Sequence, residues 1–261
     1  MIYPHAGNNS IQNVSIVFDW NAELNSKEIK AIQEELHPHL EAKFPIYQLH
    51  QLIQINVGGA FSTPNNSEIG GFVYAESNTN GISNKSLNFT RQSLVVSVNE
   101  YSSWKDFLAI VELPLQHILP LIFKSRGIIG IGLQYSDLFN WRDAREEFSA
   151  ASLFSPDTKF LPKNAIEHNN LWHSHHGFLS IQDSPVQFDL IENVNVNVIN
   201  NNGLSVQIIT SHKATLMDAI WSNNREESTI TTILNNMHDS NKGIFKNLLT
   251  SEVQESIGLN K

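Results

Sequence analysis

The chain has 261 residues, 41% of them hydrophobic and 16% charged, and its 26 acidic against 17 basic side chains give a formal charge of −9. That composition suits a folded protein with a sizeable core, as one large domain or two intimate halves, and excludes a disordered chain. With no cysteine, a disulfide framework, a zinc–thiolate site and a cysteine nucleophile are excluded as well.

Taken in chain order, Val14, Ile16, Phe18 and Trp20 alternate with Ser15 and Asp19, which predicts a half-buried strand. Asn25 or Ser26 then caps a helix reaching about Lys43, with Ile29, Ile32, Leu36 and Leu40 on one stripe. Pro38 is expected to kink or break it. Three strands follow: Tyr47 to Val57, Gly71 to Glu76 beyond a Thr63-Pro64-Asn65-Asn66 turn, and Leu87 to Val98. Trp104, Phe107, Val111, Leu115, Ile118 and Ile122 recur at helical spacing, with Pro114 and Pro120 expected to bend or shorten the helix.

The middle of the chain carries Ile128-Ile129-Gly130-Ile131-Gly132-Leu133-Gln134-Tyr135-Ser136-Asp137. Read with period two, Ile129, Ile131, Leu133 and Tyr135 share one strand face, and Gly130, Gly132, Gln134 and Ser136 the other. Two glycines on one face imply that another backbone or a helix lies close against it. A short helix is expected over Asn140 to Phe148, then strands at Leu171–Ile181, Val186–Ile199 and Leu204–Thr210, with Asn200-Asn201-Asn202-Gly203 as a hairpin turn. Ile230, Ile233, Leu234, Met237, Ile244 and Leu248 stripe a long amphipathic helix, and Ser251-Glu252-Val253-Gln254 has the spacing of a capping box.

Strand, helix, three strands, helix is thus followed by strand, short helix, three strands, helix. The fold class predicted is α+β, mostly antiparallel sheets with long helices on one face. A pseudo-duplicated, helix-grip-like arrangement satisfies the pattern, and so do two separate α+β domains. The halves are placed at 1–125 and 126–261, or run together as one continuous domain. No apolar run approaches the ~18 residues of a bilayer span. Residues 1–7 lack the basic and apolar regions of a secretory leader, so a cytoplasmic protein without a membrane partner is expected.

The central strand also carries a resemblance. Ile129-Gly130-Ile131-Gly132-Leu133-Gln134-Tyr135 resembles the "RIGLRYIN"-type strand of a sporadically distributed family of bacterial proteins of unknown function. Tyr101-Ser102-Ser103-Trp104-Lys105-Asp106-Phe107 is similar to that family's aromatic opening of a central helix. The stretch from Met237-His238 through Phe245 to Leu248-Leu249-Thr250 is similar to its C-terminal "LH…F…LLT" helix. Gly130 and Gln134 stand where the family has arginines. The resemblance implies an architecture, but no activity and no catalytic residues.

Among chemistry-bearing patterns, Trp172-His173-Ser174-His175-His176 stands out. On a strand His173 and His175 point the same way, a pair of candidate metal ligands; His168 is a third, and Glu167 a further carboxylate. The alternative is a polar strand face with chance histidines, since no H-E-x-x-H spacing accompanies them. His37-Pro38-His39 reads as a solvated helix end, and His238 as a hydrogen-bonded histidine near the core. The pairs Glu34-Glu35, Glu146-Glu147 and Glu226-Glu227 read as solvated helix faces. Gly127, Gly130 and Gly132 form no phosphate loop, and no G-x-S-x-G elbow is present. Phe18, Trp20, Trp104, Trp141, Trp172 and Trp221 read as packing, with an aromatic pocket as the alternative.

No catalytic residue and no cofactor emerges. The absence of any Lys/Arg cluster argues against nucleic acid. The function expected is therefore a non-enzymatic protein-interaction factor of bacterial or phage origin, using an acidic or strand-edge surface. The family's uneven spread fits a defence, antitoxin or immunity role, and exposed strand edges invite a homo-oligomer. The alternative is a ligand-binding protein or metal-dependent enzyme using a cleft near His173 and His175.

Overall fold

The structure is a computed structural model that describes residues 2–52, 68–200, 203–221 and 227–259. In chain order the elements of the first half are β1 (Ile2–Pro4), β2 (Ile11–Trp20), α1 (Ser26–Leu40), β3 (Ile46–Leu52), β4 (Glu68–Ser77), β5 (Ser83–Thr90), β6 (Ser93–Val98) and α2 (Trp104–Ile122). The second half holds β7 (Ile128–Trp141), α3 (Lys163–Glu167), β8 (His173–Gln182), β9 (Phe188–Asn200), β10 (Leu204–Ile220), α4 (Glu227–Leu248) and α5 (Ser251–Ser256). The architecture is α+β with antiparallel strand pairing.

The chain divides into two compact units. One comprises residues 16–130 with 218–226, and the other residues 1–15, 131–217 and 227–261. The mid-chain division falls inside β7, between Gly130 and Ile131, and the first 15 residues go with the C-terminal unit.

In the first unit the strand order is β3-β4-β5-β6-β2. Its core is aromatic: Phe72 stacks on Phe89 at 4.8 Å, and Phe89 meets Trp20 at 5.2 Å. Helix α1 starts where Asn25 accepts from the Lys27 and Glu28 N–H groups at 2.9 and 3.1 Å, while Glu28 accepts the Asn25 N–H at 2.8 Å. This reciprocal box satisfies donors the first turn leaves open. Neither helix is broken by its prolines. Pro38 lies in the last turn of α1, where few backbone bonds remain to lose, and α2 continues through Pro114 and Pro120 to Ile122.

The predicted strand over Leu87 to Val98 is in fact two, β5 and β6, with a tight reversal at Arg91-Gln92. Thr90 Oγ1 accepts the Ser93 N–H at 3.0 Å and so does the work usually signalled by glycine or asparagine. Ile53, Ile55, Val57 and the Thr63–Asn66 turn lie outside the described residues.

In the second unit the order is β7-β10-β9-β8, with β1 along β7. β9 and β10 form the expected hairpin, paired from Leu204↔Asn200 to Leu216↔Phe188; Asn201 and Asn202 of its turn lie outside the described residues. β10 runs to Ile220, well past Thr210, because Thr210 and His212 continue the inward face of the strand as buried polar residues. The expected helix over Asn140–Phe148 shrinks to a 3-10 turn at Arg145–Glu147, with β7 extending to Trp141. Thr250, not Ser251, caps α5, accepting the Val253 N–H at 3.4 Å.

β7 is buried on both faces for most of its length, including Ile131, Leu133, Tyr135 and Phe139. Ile129, read with the buried face, is exposed. What crowds Gly130 is a side chain rather than a backbone or helix: a Cβ there would lie 2.8 Å from Asp19 Oδ2.

Candidate functional site

Among the described residues β8 closes the strand order of the second unit, with β9 as its one strand partner. Side chains two apart share a face, so His173, His175, Gly177, Leu179 and Ile181 lie together, opposite Asn197, Asn195, Asn193, Ile191 and Asp189 of β9. The first part of this surface is polar, and the last part is not. Leu179 is 70% and Ile181 64% exposed, with Ile191 also exposed directly opposite Leu179. Such a strand offers unpaired backbone donors and acceptors next to apolar side chains, the features that edge strands usually suppress.

Phe178 of β8 and one face of α4 line a common cavity. Ser240, Gly243, Ile244 and Asn247 recur at i, i+3, i+4 and i+7 and form that helix face, which borders the cavity of about 730 Å³. Lys159, Phe160, Phe178 and Glu192 complete its lining. Phe160 and Phe178 meet edge to face at 5.8 Å, and Asn247 Oδ1 accepts the Lys159 N–H at 3.0 Å, tying the segment before α3 to α4.

Glu192 on β9 is the electrostatic centre of this wall. Its Oε1 accepts from Ser240 Oγ at 2.5 Å and lies 2.9 Å from His212 Nδ1. The His212 contact, then the Ser240 bond, hold the carboxyl below its ordinary range against the opposing effect of burial. Glu192 is therefore ionised at neutral pH, and its Oε2 has no hydrogen-bond partner among the described residues. His212 is fully buried on β10, its Nε2 3.4 Å from Asn241 Oδ1, which accepts from Thr210 Oγ1 at 2.5 Å.

Serine, histidine and glutamate meet here in the wrong order for nucleophilic catalysis. Ser240 bonds the carboxylate, not the imidazole, and the imidazole is shut off from solvent, so no base reaches the hydroxyl. The arrangement builds a fixed anionic wall rather than an activated nucleophile.

Two further titratable groups of this unit are withdrawn from solvent, Asp137 wholly and His238 in part. Asp137 on β7 accepts from Ser10 Oγ at 2.7 Å, and burial pushes its carboxyl up to about 7 despite that bond. His238 on α4 lies with Nδ1 2.8 Å from the Tyr135 hydroxyl. Burial first, then Lys242, bring its imidazole down to about 4.

Of the residues singled out in the sequence, His173 and His175 stay adjacent on the exposed face of β8, and His168 follows α3, also exposed. His175 Nε2 is 3.5 Å from Asn193 Oδ1. Among the described residues, the three metal-capable side chains whose donor atoms lie within 4.8 Å of one another are a different set, Glu35, His39 and His117, in the first unit. Trp20 and Trp141 pack as expected, Trp20 donating its indole N–H to the Arg91 carbonyl at 2.6 Å, whereas Trp221 is exposed. Glu192, His212 and Ser240 carried no motif; Glu192 and His212 are separated by 20 positions and meet through the β9–β10 register.

No family model matches the chain, and no curated protein matches it. Among the described residues, no helix is long and apolar enough to cross a membrane.

Proposed function

We propose that this protein is a non-enzymatic binding factor that takes an extended segment of a partner protein along the free edge of β8. The observation that carries the reading is the exposure of Leu179 and Ile181 on a strand whose second edge has no strand partner among the described residues. Strand addition supplies main-chain affinity, and pockets for alternate side chains supply selectivity. The cavity beside Phe178, with Phe160 in its wall and Glu192 facing Lys159, suits a side chain of that segment with an apolar body and a polar tip, and the net charge of −9 favours a basic partner. The resemblance of the central strand and last helix to a sporadically distributed bacterial family is in keeping with a defence or immunity role. A second reading, a small-molecule site, draws on the same cavity, whose volume of about 730 Å³ lies in the range of ligand pockets.

Native mass spectrometry of the untagged protein from the cells that make it tests this. A co-purifying polypeptide that is lost in the Leu179→Asp/Ile181→Asp double variant is the expected result. A dimer mass that dissociates in that variant identifies the partner as a second copy. A complex indifferent to both substitutions, or a bare chain carrying a small-molecule adduct, overturns strand addition.

A further inference from the structure

Glu35 and His39 are one turn apart on α1 and so share a face. His117 approaches them from α2, and the donor atoms of the three lie within 4.8 Å of one another. The His39 and His117 rings stack at 3.7 Å with planes 15° apart. His37, two residues earlier, faces elsewhere: its Nδ1 is 2.9 Å from the Tyr74 hydroxyl on β4. Glu34 pairs with Lys30 at 3.7 Å, whereas Glu35 forms no ion pair among the described residues. A carboxylate without a cationic partner therefore stands beside two imidazoles that emanate from different helices.

We propose that Glu35, His39 and His117 bind a divalent first-row transition ion, zinc foremost, which clasps α1 to α2. Two imidazoles and one carboxylate form a borderline donor set suited to zinc rather than to calcium or magnesium, which prefer all-oxygen ligands. Three protein ligands leave a fourth position for water. Tetrahedral coordination at metal–donor distances of ~2.0–2.1 Å needs donors roughly 3.3 Å apart, a modest contraction from the observed spacing. Parallel rings direct their lone pairs side by side, so binding tilts the two imidazoles until the lone pairs converge. Glu35 and His39 are exposed and His117 half-buried, which gives the side chains room to rotate and the ion a path in. Because the ligands come from two helices that pack on each other, the bound ion adds a direct link between them. The folded state alone holds all three, so zinc stabilises it by mass action.

The test uses untagged full-length protein stripped with a chelator and titrated with Zn²⁺ by calorimetry and with Co²⁺ by visible absorption. One equivalent of Co²⁺ giving a four-coordinate spectrum that Zn²⁺ displaces is expected, with a melting temperature that rises with zinc concentration. His39→Gln and Glu35→Gln, at exposed positions, should each weaken zinc by more than the ~10–100-fold typical of losing an outer-shell partner. His117→Gln should do the same, with circular dichroism checking that it folds. The His173→Ala/His175→Ala variant should bind as the parent does. Absence of a stoichiometric spectrum overturns the proposal, as does zinc binding that survives His39→Gln and disappears in the β8 variant.

Discussion

In the unit of residues 16–130 the face of the sheet beneath the helices is closed by hydrocarbon and rings, with Phe72, Tyr74 and Phe89 of β4 and β5 fully buried. Every buried polar or charged residue among the described ones, Asp137, Thr210, His212 and Asn241 included, lies in the other unit. The same layering of antiparallel strands and long helices is thus filled in two ways. An aromatic core draws its stability from apolar burial, and the Tyr74 phenol within it, its pKa raised by burial, stays neutral at ordinary pH. A core seeded with titratable groups depends on each hydrogen bond being kept, because an unsatisfied buried polar atom costs more than a made bond contributes. The polar core is also the one that backs the cavity and the free edge of β8.

The comparison can be broken at its strongest point first. Phe72→Ala removes a ring stacked between strands and should cost about 3–5 kcal/mol in denaturant unfolding, with the same loss at acidic and alkaline pH.

Asp137→Asn should act oppositely. The folded carboxyl binds its proton up to about pH 7, whereas the unfolded one releases it near 4. Stability from this group is therefore complete below about pH 4 and lost as pH rises through about 7. The uncharged amide should make the protein more stable than the parent at about pH 8, by on the order of 2–4 kcal/mol, and flatten the slope between those values. Identical slopes for parent and variant would refute the account of a buried acid.

Glu192→Ala strands His212 and Ser240 without an acceptor and should cost about 1–3 kcal/mol, with Glu192→Gln costing less. His238→Gln keeps a partner for Tyr135 but cannot titrate. In the parent, the unfolded imidazole takes a proton near 6.5 and the folded one only near 4, so stability falls as pH drops through that window. The variant should remove about 1–2 kcal/mol of that fall, solvent screening at this half-buried site reducing the effect. The smallest change in stability, within about 0.5 kcal/mol, is expected of Leu179→Asp/Ile181→Asp on the exposed edge.

Alternation and helical spacing carried most of the architecture: β2, α1, α2, β9 and α4 are legible because their apolar residues repeat with the period of the element. The reversal at Arg91-Gln92 was not legible, since Thr90 supplies through one hydroxyl what a turn residue would have signalled. Nor was the full length of β10, because Thr210 and His212 read as surface when only the packed core makes them interior. The sites follow the same division. The sequence placed His173 and His175 on one strand face, a local relation that a pleat alone guarantees. It read Glu35 and His39 as solvated, though their spacing on α1 already put them on one face. What one chain's order cannot contain is the third partner. His117, 78 positions beyond His39, reaches them through the packing of α1 on α2, and His212 reaches Glu192 through strand register. Local periodicity fixes which elements form and which side each residue faces. Which faces then meet is decided by how hydrophobic burial packs those elements together, and that is where both candidate sites arise.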